Sequence, residues 1–401
     1  MESKSILAVL KKNVMLIVLV LVFVLFVILT HGGFFSANTF TDLVQNNAYV
    51  FILGTGMLMC MLTGGNIDLS CGSTVCMFGA LGAFFMSTNK GTLELPIHVL
   101  DLGVPLSILM MLAIGFAYGS LLGFLIAYVR IPPWIATLTF FLAFRGLGTA
   151  LLNWANSDTK SIAYLPESFL QIFYKGVLVP TPGRFNWPCF VIGLLAAGAV
   201  IFLLLFNRNK RIQKGYSVEP LYMTWLKGGI SAAAIILLMT QLAMDKGLPV
   251  PLLWVVGIIL IYSFITSKTT IGRHFYVVGS NMEAARLSGV NTRRIMFLAY
   301  LNMAILTTLA TMINMARFQT AMSNAGLNYE MDAIAACVVG GVSASGGAGT
   351  IIGMVIGATL IGVINLGMIA IKLDQHFQYI VKGFVLLAAV VFDILSKKKQ
   401  K

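Results

Sequence analysis

The chain has 401 residues, of which 58% are hydrophobic and only 10% charged. A soluble domain usually carries about 25% charged residues, so this chain lacks the polar surface to cover itself in water and takes lipid as its solvent. The net charge of +13 would suit a nucleic-acid partner in a soluble protein, but here the basic residues fall mostly between apolar runs, the pattern that orients membrane proteins.

Lys4, Lys11 and Lys12 precede the first apolar run, Val14 to Leu29. No small-residue cleavage site follows, and the run is longer than a signal-peptide core, so it reads as a retained span. Further spans are predicted at 47–62, 73–87, 104–129, 133–153, 188–206, 228–245, 249–266, 295–316, 329–343, 350–371 and 376–395. Several fall short of the roughly 20 residues a straight span needs. These lie beside glycine-rich breaks, which predicts half-helices. The fold class is therefore an all-α membrane protein, a polytopic bundle of about 10–12 transmembrane helices broken at Gly-rich segments. It forms one domain over 1–401.

Two loops are strongly basic. Residues 207–227 carry Arg208, Lys210, Arg211, Lys214 and Lys227, and residues 267–294 carry Lys268, Arg273, Arg286, Arg293 and Arg294. With the N-terminal lysines and the tail lysines Lys397, Lys398, Lys399 and Lys401, all fall on one side of the span order. That side is predicted to be cytoplasmic, together with both ends, 1–13 and 396–401. Across the membrane, 154–187 is the longest polar segment and contains Pro166, Pro180 and Pro182. It is a structured external loop that either meets a partner or simply connects spans. Cys60, Cys71, Cys76, Cys189 and Cys337 show no metal-ligand spacing and read as small core residues. No G-x-x-x-x-G-K-[ST] phosphate loop occurs, so an ATP-driven process would need a second chain to hydrolyse the nucleotide.

Three segments interrupt the apolar pattern. Gly64 to Ser73 (G-G-N-I-D-L-S-C-G-S) places Asn66, Asp68, Ser70 and Ser73 where two glycines break a helix. Unwound backbone at membrane depth is tolerated only against protein or water, and an acid there is a functional candidate. Asp68 equally suits capping of the following helix. Gly279 to Val290 reads as a short helix, with Ser280 as cap, Glu283 completing a capping box and Gly289 as stop. It is either a rigid docking knob or a solvated connector. Finally, Tyr329-Glu330-Met331-Asp332 opens an apolar run, where acids favour the helix dipole, and Gly340 to Thr350 is again glycine-rich. A spacing of Gly-Gly, polar run, Gly-[ST], apolar run and Gly-Ala recurs at 64–80 and 340–358, a faint internal echo. The histidines His31, His98, His274 and His376 fall in or beside loops, so no buried proton relay is evident, and the chain reads as short of intramembrane charge.

Together these motifs resemble the permeases of bacterial ABC monosaccharide importers, the ribose, galactose and xylose group. Gly64 to Ser73 looks like that family's G-G-x-D-L-S-x-G segment with Asn66 inserted. Gly279 to Val290 is similar to its G-x-N-x-x-A-A-x-x-S-G-[IV] coupling segment, and Tyr329 to Thr350 is especially close to the galactose and multiple-monosaccharide permeases. Cys71 departs from the usual small apolar residue, and the extra length around 154–245 resembles the xylose type. The resemblance implies a transport subunit rather than an enzyme, with no cofactor of its own. It implies a second permease copy, an extracytoplasmic sugar-binding protein, and a partner ATPase that uses ATP and Mg at two nucleotide sites. It places ATPase coupling on Asn281, Glu283, Ala284, Ala285, Arg286, Ser288 and Gly289. Asn66, Asp68, Ser70, Ser73, Glu330 and Asp332 are the candidates for the translocation pathway or its gate. An ABC permease for another solute and an ion-coupled sugar transporter are the alternatives.

Overall fold

The computed structural model describes residues 14–87, 102–163, 165–178, 185–216, 218 and 220–398. Lys4, Lys11, Lys12, His98, Pro180, Pro182, Lys399 and Lys401 lie outside them. Each of the twelve apolar runs is matched by a helix. In order, these are α1 (Val14–Leu29), α2 (Ala37–Leu62), α3 (Cys71–Met86), α4 (Val104–Ala127) and α5 (Pro133–Ala155). After β1 (Ser161–Ala163) and the short α6 (Glu167–Phe173) come α7 (Trp187–Gln213), α8 (Leu221–Met244) and α9 (Val250–Lys268). Two short helices, α10 (Thr270–Ser280) and α11 (Met282–Leu287), lead to α12 (Thr292–Phe318). Then follow β2 (Thr320–Met322), α13 (Tyr329–Val339), α14 (Ile351–Ala370) and α15 (Gln375–Lys398). Eight of these helices are long and apolar enough to cross a membrane, and α1 and α3 are shorter apolar helices.

Local chemistry sets the helix starts. Proline, whose missing N–H costs nothing in a first turn, stands at the beginning of α4, α5, α7 and α9. Thr350 Oγ1 accepts from Gly353 N at 3.0 Å and so caps α14.

The antiparallel pair α2 and α12 forms the centre. Cys60, near the end of α2, reaches the Ala299 carbonyl early in α12, whereas Arg317 at the end of α12 reaches the Asn46 carbonyl early in α2. Every α2 residue from Ala48 to Leu62 except Phe51 is buried. Against α12, α4 presents Gly115, Gly119 and Gly123, whose missing side chains let it approach Thr308, Ala304 and Phe297. Away from this centre, α7 and α8 form a hairpin with its own core of Cys189, Met239, Leu242 and Ala243. The outer faces of the hairpin are exposed and strongly apolar, Leu195 and Phe202 among them. The polar start of α2 runs the other way, with Thr41, Gln45 and Asn47 buried in protein. Lipid selects for apolar side chains on an outer helix, while an enclosed helix can satisfy polar ones internally.

The basic ends of α7 and α9 share one end of the bundle with α10 and α11, called here the basic end. At the opposite end, β1 pairs antiparallel with β2, Ile162 opposite Ala321. Segment 154–187, expected to be a structured loop, thus supplies a strand and a helix among its described residues.

Two units share one design in opposite directions. A long helix is followed by an unwound stretch and then a short helix: α2, 63–70 and α3 in one, α12, 319–328 and α13 in the other. The repeated architecture thus pairs 37–86 with 292–339, which corrects the expected echo between 64–80 and 340–358. Those two glycine-rich loops instead pack on each other. Gly65 lies against the Ala344 carbonyl and Gly346 against Gly64, approaches that any Cβ would block.

Candidate functional site

The starts of the two short helices meet inside the bundle. Gly72, at the head of α3, lies against the Glu330 carboxylate and the Gly326 carbonyl at the head of α13. Asp68 Oδ1 accepts from Ser70 N at 2.8 Å and from Ser70 Oγ at 2.5 Å. Asp68 therefore closes a turn before α3 rather than capping the N–H groups of its first turn. Because the single Ser70 hydroxyl proton goes to Asp68, the 2.6 Å contact between Ser70 Oγ and Tyr118 Oη requires Tyr118 to donate. A chain of donors thus runs from Tyr118 on α4 through Ser70 to Asp68. Beside it, Ser73 Oγ and Glu330 Oε2 are buried and have no hydrogen-bond partner among the described residues.

Asp332, two residues past Glu330, faces a different set of groups. Its Oδ1 pairs with Lys382 Nζ of α15 at 3.0 Å. Its Oδ2 accepts from Tyr49 Oη at 2.6 Å, Lys382 Nζ at 3.2 Å and Asn365 Nδ2 at 3.3 Å. Tyr49 in turn stacks on Tyr329, with ring centroids 3.7 Å apart. This buried ion pair borders a cavity of about 410 Å³ between α13, α14 and α15, lined by Asn328, Met331, Asn365 and Tyr379 among others. Its volume falls in the range of small-molecule sites. Asn365 Oδ1 is a further buried acceptor without a partner among the described residues.

The unwound stretch 319–328 is held from two sides. Arg145 of α5 donates to the carbonyls of Ser323 (3.2 Å), Ala325 (2.9 Å) and Gly326 (3.3 Å). The β1–β2 ribbon fixes its other end. Arginine's forked donors suit three convergent carbonyls of an unwound stretch.

At the basic end, α11 is capped by Asn281, whose Oδ1 accepts from Ala284 N at 2.9 Å. Ser280, expected to be the cap, instead ends α10 and donates to the Tyr276 carbonyl at 2.8 Å. Ala285 is buried beneath α11. Glu283 and Arg286 pair at 3.2 Å on its exposed face, and Ser288 Oγ donates to the Ala284 carbonyl at 2.9 Å. Gly289 terminates the turn with φ +82°, as expected of a glycine stop. The α10–α11 hook is hydrogen-bonded to the loop before α14 and packs against the end of α2. Gly279 lies against the Leu62 carbonyl and the Gly347 amide, an approach that excludes any side chain. Gly347 N donates to the Leu62 carbonyl at 3.2 Å, and Tyr276 Oη donates to the Gly349 carbonyl at 3.0 Å. Burial pushes the Tyr276 phenol above its usual value, so it stays a donor.

The sequence profile of a family described as "Branched-chain amino acid transport system / permease component" matches residues 38–179 and 182–390. The chain belongs to that permease family. This permease is 31% identical over 386 residues to a xylose transport system permease protein of Haemophilus influenzae, covering 96% of each chain. A ribose import permease protein of Escherichia coli K12 is 29% identical over 100% of this chain and 95% of its own. A galactose/methyl galactoside import permease protein of Haemophilus influenzae is 28% identical over 98% of this chain and 96% of its own. No solved structure matches.

The permease brings Asp68, Ser70, Ser73 and Glu330 together. Asp332 borders the neighbouring cavity. Asn66 stands apart, with Nδ2 donating to the Thr63 carbonyl at 3.1 Å and Thr63 Oγ1 at 3.2 Å, where it closes the turn after α2. The expected shortage of intramembrane charge is corrected: Arg145 and Lys382 sit within helical spans and both carry contacts. A lone cation inside each of these two apolar runs was a signal available in the sequence. Tyr49, Tyr118 and Asn365 gave none, since their partners lie far away in the chain.

Proposed function

We propose that this permease is the membrane subunit of an ATP-driven importer that moves a monosaccharide across the cytoplasmic membrane by alternating access. The basic end faces the cytoplasm, as its Lys and Arg content supports, and both termini lie there. A partner ATPase with two nucleotide sites uses ATP and Mg and docks on α11, at Asn281, Glu283, Ala284, Ala285, Arg286, Ser288 and Gly289. A second permease copy completes the pathway, and a binding protein delivers sugar at the opposite end. Xylose, ribose and galactose transport are the activities named for the similar permeases, which supports a sugar of that size.

The observation that carries this reading is the hook at the basic end. The α10–α11 segment packs directly on the end of α2 at Gly279 and is hydrogen-bonded to the loop before α14 through Tyr276. A push on α11 therefore moves the base of both helices. Between them, the heads of α3 and α13 abut with little spare space, so relative motion there opens or closes a path. Asp68, Ser70, Ser73 and Glu330 would form its polar gate, Asn66 would hold the turn that follows α2, and Asp332 would flank the cavity. The hydroxyl and amide groups there suit an uncharged polyol, which needs donors and acceptors rather than a counter-ion.

The test is purification of the chain from its native membrane in mild detergent. A two-site ATPase is expected to co-purify with it and to be released by Glu283→Arg together with Arg286→Glu. A chain that purifies alone and moves sugar under an ion gradient without ATP would overturn the reading.

A further inference from the structure

A second site lies at the basic end, built mainly from the end of α7 and reaching the last residue of α9 just before the hook. The last turn of α7, the turn after it and the last residue of α9 enclose a cavity of about 510 Å³, lined by Asn207, Lys210, Arg211, Lys214, Tyr216 and Lys268. Arg211 also lines an adjoining cavity of about 260 Å³ that includes Arg208 and Thr224. Neither cavity has an acidic residue among its described lining. Arg208 Nε is buried with no partner among the described residues. Loop orientation needs only that cations lie on one side. It does not require them to converge on a cavity from two helices or leave a guanidinium nitrogen buried and unsatisfied.

The helix faces below the cations complete the pattern. On α7, Phe206 and Leu203 lie four and seven residues before Lys210; on α9, Phe264, Ile261 and Leu260 lie four, seven and eight before Lys268. Those spacings put them on the same helix face as the cation, and all five are more than half exposed. Cations thus sit above two apolar stripes at the level where a membrane presents its headgroups. The geometry points to a binding site for an anionic phospholipid, its phosphate diester held by Arg208, Lys210, Arg211 and Lys268 and its acyl chains lying along α7 and α9. An acidic protein partner would match the charge but leave the apolar stripes unused.

The full chain, purified in detergent, is titrated with phosphatidylglycerol and with phosphatidylcholine, and bound lipid is counted by native mass spectrometry. Phosphatidylglycerol is expected to bind at least tenfold more tightly. Triple substitution R208Q/R211Q/K268Q is expected to weaken it by tenfold or more, since each cation near a lipid headgroup contributes roughly a fivefold factor. Adding Asn209→Lys and Gln213→Lys to the triple variant restores two charges at exposed positions off the cavity, and binding is expected to stay weak. Phe264→Asn, with every cation kept, is expected to weaken binding several-fold. Full recovery in the charge-restored variant would overturn the proposal, because bulk charge would then suffice. Equal binding of both lipids, or complete displacement of phosphatidylglycerol by millimolar inorganic phosphate, would also overturn it.

Discussion

Substituting Asp332 and Lys382 singly and together separates a structural ion pair from two independent polar contacts. The pair is enclosed unevenly, with the Asp332 side chain 4% exposed and that of Lys382 24%. Breaking a buried pair by removing one partner costs about 3–5 kcal/mol, because the remaining charge is uncompensated. Lys382→Met leaves the carboxylate its donors Tyr49 and Asn365, which places the cost near the lower bound, about 3 kcal/mol. Asp332→Asn leaves an ammonium with partial access to solvent, so about 2–3 kcal/mol is expected. The double variant removes both charges and is expected to cost no more than about 1 kcal/mol, giving a coupling of about 4–6 kcal/mol by the arithmetic of the double-mutant cycle. The assay is reversible unfolding in mixed micelles on titration with denaturing detergent. Additive costs, with the double variant losing about 5–6 kcal/mol, would refute the coupling and with it the account of how α13 is tied to α15.

Tyr118→Phe deletes the donor to Ser70, and a loss of about 1–2 kcal/mol of stability is expected in the same unfolding assay. Arg145→Met removes the guanidinium shared by three carbonyls, so amide exchange in residues 319–328 is expected to accelerate at least tenfold by mass spectrometry, with α2 unaffected. Gly279→Leu would drive a side chain into the Leu62 carbonyl; normal membrane insertion with loss of ATP-driven uptake is the expected outcome. Because all five native cysteines are buried and free, a cysteine placed at Ser288 should react with an impermeant maleimide only from the cytoplasm, and one placed at Asp158 only from outside.

Much of this architecture was legible because lipid simplifies the code. Twelve apolar runs mark twelve helices, and two runs beside broken segments mark the short ones, α3 and α13. The legible boundaries failed where lipid was not the solvent. The run at 47–62 begins ten residues after α2 itself does, because Thr41, Gln45 and Asn47 are buried against protein and look like loop residues to a hydropathy argument. The acids Asp68, Glu330 and Asp332 stood out for their composition alone. Their partners did not, since Tyr49 with Asp332 and Tyr118 with Ser70 are contacts across hundreds or tens of residues. The cap of α11 was misplaced by one residue because Ser280 and Asn281 are both good caps, and only the end of α10 decides between them. The two glycine-rich loops of the echo pack on each other, whereas the two long-helix, unwound, short-helix units use unlike sequences in their unwound stretches.

The most direct measurement is sugar uptake by vesicles holding the permease with the proposed ATPase and binding protein, with wild-type and Gly279→Leu chains compared. The account expects the wild type to accumulate a xylose-, ribose- or galactose-class sugar only when ATP is supplied, with no response to dissipating the ion gradients. It expects the variant to keep the ATPase bound and yet transport nothing. Uptake that survives without ATP, or a Gly279→Leu permease that transports normally, would contradict it.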